Sequence, residues 1–126
     1  MLERAEEGRT TRRRPGTGYL TIRVTGVLLA VLALGHFAAT HIVNDVAQTG
    51  SAFIARRWAN PLWVVWDAAM LATALLHGIS GLTVMIRDYR PDPRSRTRWV
   101  AATTGSALVL FLIGAAALTY SALGAR

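Results

Sequence analysis

The 126-residue chain has room for one small domain, yet 52% of it is hydrophobic, more apolar surface than a soluble domain of this size can bury. It contains no cysteine, which excludes disulfides, iron–sulfur ligation and thiol nucleophiles within the chain. The net charge is +7 and all fourteen basic residues are arginine; they flank apolar runs and form no stripe with interleaved aromatics, so they point to membrane headgroups and topology and argue against nucleic acid.

Residues 1–16 read as a polar, Arg-rich cytoplasmic tail, and residues 17–126 as one membrane domain. The first apolar run extends from Ile22 to Val43, with Arg23 at its edge; it is too long for the apolar core of a signal peptide. The second runs from Leu62 to Ile86 behind Pro61, a residue suited to a first helical turn. The third runs from Trp99 to Leu123. Each can cross a hydrocarbon core of about 30 Å, which takes roughly 20 residues. The expected fold is all-α: an integral membrane protein with three transmembrane helices in an up-down-up bundle. Trp58, Trp63 and Trp99 fall near the proposed interfaces, with Trp66 one turn deeper, as an aromatic belt requires.

The connection from Asn44 to Asn60 carries a short candidate interfacial helix, Ala52 to Trp58. The second loop, with Pro91 and Pro93, reads as a tight turn. Eleven arginines lie in the tail, at the start of the first run and in the second loop, against three on the other side. The N-terminus and the second loop are therefore expected in the cytoplasm, with the chain in the cytoplasmic (inner) membrane.

His77 lies near the middle of the second run. A histidine at membrane depth is costly and functional by default. Asp88, eleven residues on, returns to nearly the same helical stripe about 16 Å along the axis, beside Tyr89 at the cytoplasmic edge. Gly78 and Gly81 remove side chains where a flat group such as a porphyrin could approach, and a neutral imidazole is a common axial haem ligand. The alternative is an interhelical hydrogen bond from His77, with the glycines serving packing. Arg23 and Thr25 open the first helix at what counts as the same depth as Asp88 and Tyr89, where they could meet a quinone carbonyl; plain snorkelling of Arg23 is the other reading. His36 could ligate a second haem or bond a neighbouring helix. His41 reads as interfacial. Asp67 is expected to pair with Arg56 or Arg57. No catalytic triad, carboxylate pair, phosphate loop or metal-spaced cluster is present, so the chain alone is not expected to catalyse a reaction.

Taken together, His77-Gly78, Gly81 and Asp88-Tyr89 resemble the signature of a membrane-anchor subunit of succinate dehydrogenase (complex II), the anchor whose second helix carries the haem histidine. So do Thr25-Gly26-Val27-Leu28-Leu29, Gly35-His36 with His41, and Arg57-Trp58-Ala59-Asn60-Pro61-Leu62-Trp63 leading into Trp66-Asp67. The likeness is to bacterial, especially actinobacterial-type, members and covers about Arg23 to Tyr89. It implies that His77 ligates haem b, that Tyr89 donates to a quinone with Asp88 beside it, and that Arg23 and Thr25 line the same site. The family motif usually has Ser at the position of Thr25. The implied partners are a flavoprotein that oxidises succinate, an iron–sulfur subunit on the cytoplasmic face and a second membrane anchor. The implied role is electron transfer to quinone, menaquinone by the bacterial resemblance, in the respiratory chain and tricarboxylic acid cycle. A fumarate reductase anchor, another quinone-linked cytochrome b and a non-haem membrane scaffold are the competing readings.

Overall fold

The computed structural model describes residues 16–124; apart from Gly16, the tail expected over residues 1–16 lies outside them. Helix α1 spans Thr17–Phe37 and continues through a π-helical turn, Ala38–Ile42. A short 3₁₀ turn, Val46–Gln48, leads to helix α2, Ser51–Trp58. Helix α3 spans Pro61–Tyr89 and helix α4 spans Pro93–Gly124. Three helices, counting α1 with its π turn, are long and apolar enough to cross a membrane. The all-helical, three-span expectation holds.

Helix starts follow capping chemistry more closely than hydropathy. Pro61 occupies the first turn of α3, and the Asn60 side chain accepts from Leu62 N at 3.0 Å. Helix α4 begins at Pro93, six residues before the apolar run, because Asp92 Oδ2 accepts from Ser95 N at 2.7 Å and proline fits a first turn. At 29 and 32 residues, α3 and α4 exceed a hydrocarbon core and carry charged ends beyond it. The interfacial helix expected at Ala52–Trp58 forms as α2, one residue longer at its start.

Helix α3 is central: α1 packs on one side of it and α4 on another, and α2 touches α3 and α4 at the α1-end/α3-start pole. Among the described residues, only Ala107, Thr25, Arg57 and Asp67 are buried. Three of these are polar, whereas Val27, Leu34, Leu62, Leu108 and Ile113 lie exposed on the outside. In lipid this inversion is favourable: apolar side chains need no burial, while polar groups must find partners inside.

The α1–α3 seam closes where small residues admit large ones. A Cβ on Gly35 would stand 2.6 Å from Trp66 Cζ2, and Trp66 Nε1 donates to Leu32 O at 3.2 Å. Gly35→Leu is therefore expected to push the indole off its carbonyl and cost about 1–3 kcal/mol. Gly105, with nothing within 4 Å of its Cβ position, is the control. Equal unfolding midpoints in detergent for Gly35→Leu and Gly105→Leu would show that the seam is loose.

Candidate functional site between the first two spans

Besides the Trp66–Leu32 hydrogen bond, two side-chain pairs join α1 to α3. Near the α3 middle, Thr25 Oγ1 lies 3.2 Å from His77 Nδ1. Eleven residues along α1, His36 Nδ1 lies 3.2 Å from Asp67 Oδ1. The two contacts define one antiparallel register.

The imidazole of His77 is half-buried between the helices. Thr25 holds its Nδ1, and a Cβ on Gly26 would meet its Cε1 at 3.3 Å. Gly26 is thus the glycine that gives the ring its space. In the sequence it is legible only as part of the Thr25-Gly26 pair, because nothing in one helix shows which residue of another it opposes. Gly81 is open above its Cβ position and continues the His77 stripe. Gly78 does not share that face; it lines the groove between α3 and α4 with Ala74, Leu82 and Trp99. His77 Nε2 makes no hydrogen bond among the described residues and is not sealed from its surroundings.

The register alters one expectation. Thr25 opposite His77 sets Arg23 opposite Ile79 and Ser80, about 14 Å along the axis from the level of Tyr89. Arg23 and Tyr89 are not at one depth: counting from the sequence takes each residue from the end of its own apolar run, and the two runs are offset along the bundle. The Arg23 guanidinium lies over the Tyr19 ring, 4.8 Å from its centroid. Tyr89 is 79% exposed at the end of α3. Asp88 is exposed too, and it forms no ion pair with Arg87 or Arg90 among the described residues.

At the opposite pole, Asp67 gathers a polar cluster. Arg57 Nη2 donates to Asp67 Oδ1 at 2.9 Å and Trp58 Nε1 donates to Asp67 Oδ2 at 3.0 Å. The Arg57 guanidinium also lies 4.3 Å from the Trp63 ring centroid, a cation–π contact. The expected pairing of Asp67 with a linker arginine is realised by Arg57. His36 Nδ1 stands between a carboxylate acceptor and, at 3.3 Å, Arg57 Nη2, a donor; it can serve either, so its tautomer is not fixed by them. A groove of about 320 Å³, lined by His36, Thr40, His41, Arg57, Trp58 and Asp67 among others, opens beside the cluster. His41 is exposed and stacks on Phe37 at 4.6 Å. The role of Trp58 as a donor to Asp67 is not legible in the sequence; a tryptophan near an interface reads as a belt residue until its indole N–H is seen to have a partner.

The family described as "Succinate dehydrogenase/Fumarate reductase transmembrane subunit" matches residues 7–118. A succinate dehydrogenase hydrophobic membrane anchor subunit from Archaeoglobus fulgidus is 28% identical over 96 residues, covering 76% of this chain and 81% of that protein.

Proposed function

The chain belongs to the succinate dehydrogenase/fumarate reductase transmembrane subunit family, and from that premise we propose that it holds haem b on His77 and presents Tyr89 and Asp88 to a quinone. The observation that carries the haem assignment is the held imidazole: its Nδ1 is bonded to Thr25, its Nε2 is without a protein partner among the described residues, and Gly26 and Gly81 leave room around it. This donor set fits a haem iron, which takes a neutral imidazole. The iron's other ligand would come from the second membrane anchor; His36, held at Asp67 eleven residues along α1 from Thr25, is about 16 Å from the level of His77, too far to share its haem. Haem, when bound there, supplies a one-electron redox centre.

The chain's own groups do the rest. The apolar outer faces of α1, α3 and α4 hold the complex in the bilayer. Tyr89 donates its hydroxyl hydrogen to a quinone oxygen at headgroup depth, where the ring meets the apolar ligand and the hydroxyl reaches water. Asp88 takes protons from the cytoplasm and passes them toward that oxygen, since quinone reduction consumes two electrons and two protons. Arg23 is tied to this site by resemblance alone: the register sets it about 14 Å along the axis from Tyr89, with its guanidinium over Tyr19.

The flavoprotein and iron–sulfur subunits dock on the cytoplasmic ends of the helices, which sets the N-terminus inside, in line with the arginine asymmetry. The family covers both reaction directions, so a fumarate reductase anchor is the same reading run backwards. His36 joins as ligand to a second haem only if the complex holds two; with one, it stays with Asp67.

Purification of the complex through this chain in mild detergent is expected to bring a flavoprotein, an iron–sulfur protein and a haem b difference spectrum. Absence of both dehydrogenase and haem would leave the non-haem scaffold. Tyr89→Phe is expected to lower quinone reduction about fivefold to tenfold, the value of one hydrogen bond. Haem content and succinate oxidation with an artificial acceptor should be unchanged. Parent-like quinone reduction in that variant would show that the hydroxyl is not used.

A further inference from the structure

The Thr25 hydroxyl has three polar neighbours: two carbonyl oxygens of its own helix, Thr21 O and, at 3.3 Å, Ile22 O, and one imidazole nitrogen. Its Oγ1 lies 2.6 Å from Thr21 O and 3.2 Å from His77 Nδ1. A hydroxyl and a carbonyl oxygen approach to 2.6 Å only with a hydrogen between them, and a threonine has one hydroxyl hydrogen to give. That hydrogen is on the Thr21 side. Toward the imidazole Thr25 presents a lone pair, so Nδ1 must be the donor. In a neutral imidazole with hydrogen on Nδ1, Nε2 is bare.

We infer that Thr25 is a positioning residue that locks His77 in its Nδ1–H tautomer and so keeps the Nε2 lone pair for a metal. The inference rests on the reading of His77 as haem ligand and deepens it. It also reassigns Thr25: with its hydrogen committed to Thr21 O, the hydroxyl has none to donate to a quinone carbonyl. Two features make the lock rigid. Thr25 is buried in the seam, and Gly26 presents backbone against Cε1, so the ring cannot turn away without losing contact with both. The contrast is His36, whose Nδ1 faces one donor and one acceptor and is not committed to either.

A ligand histidine whose second N–H is accepted by a protein oxygen is oriented and made more basic, and loss of such a partner typically weakens metal binding about 10–100-fold. A more basic ligand favours the oxidised metal. Thr25→Val keeps the shape and removes the acceptor. In the purified complex it is expected to raise the haem midpoint potential and to speed haem loss to apomyoglobin about 10–100-fold. Thr25→Ser is expected to restore both. If Thr25→Val does not assemble, Thr25→Cys replaces it: the thiol is a weak acceptor, and the same direction of shift is expected. A potential and haem-loss rate equal to the parent in the assembled variant would overturn the inference. His77→Ala separates the two levels. Retained haem in His77→Ala defeats the ligand assignment itself, whereas lost haem in His77→Ala with parent-like Thr25→Val defeats the tautomer lock alone.

Discussion

Asp67→Ala is expected to destabilise the chain by about 3–5 kcal/mol, the usual cost of removing one partner of a buried ion pair. Side-chain exposure is 7% for Arg57 and 11% for Asp67, so solvent cannot take over the role of the missing carboxylate. The loss does not stop at one bond. Trp58 Nε1 and Arg57 Nη2 both donate to Asp67, and Arg57 Nε is already buried without a hydrogen-bond partner among the described residues. After the substitution the guanidinium would keep only its stacking on Trp63 and the contact with His36. The linker helix α2 should then swing off the pole of the bundle. Detergent unfolding midpoints and abundance in membranes would measure this. Arg57→Met with Asp67→Leu should recover most of the loss, because an apolar pair of similar volume avoids the orphaned charge. A double variant as unstable as Asp67→Ala alone would mean that packing, and not charge, sets the cost.

The second large effect is chemical. His77→Ala is expected to remove one haem per complex while leaving the three-helix bundle folded. The bundle should survive because the Thr25–His77 hydrogen bond joins neutral groups and contributes about 1 kcal/mol. Pyridine haemochrome against flavin content gives the stoichiometry, and circular dichroism reports the helices. Haem per flavin equal to the parent would refute ligation by His77. Running His36→Ala in parallel assigns the other candidate: loss of haem there too would bring His36 to a second haem, since the register sets it too far from His77 to share one.

The sequence reads well where a single helix suffices and poorly where two helices must be set against each other. Three long apolar runs define three spans because no other structure satisfies the backbone in hydrocarbon. Pro61 marks the start of α3 for a local reason; Asp92-Pro93 does the same for α4, but within the second loop it reads as part of a turn, with the apolar run starting only at Trp99. The Asp67–Arg57 pair is readable because a buried carboxylate needs a cation and few are near. Relative depth is not readable. Arg23 and Tyr89 can each be counted only from the end of their own run, and the Thr25–His77 and His36–Asp67 contacts are what give the offset between the helices. Face is only half readable: an eleven-residue step puts Asp88 on the His77 stripe, but the side on which Gly78 falls depends on where α4 packs. Gly26 escapes notice for the same reason, since its value comes from a ring on another helix.

Helix α1 and helix α4 each pack on α3. Every residue assigned to haem or quinone lies on α1 or at or before Tyr89. A chain made from its N-terminus therefore delivers these residues to the bilayer as one hairpin, ahead of the last span. The Thr25–His77 and His36–Asp67 contacts need no residue of α4. The α4 helix then closes onto the far side of α3, away from the imidazole. The groups assigned to haem and quinone therefore depend on the α1–α3 seam and not on the seat of α4.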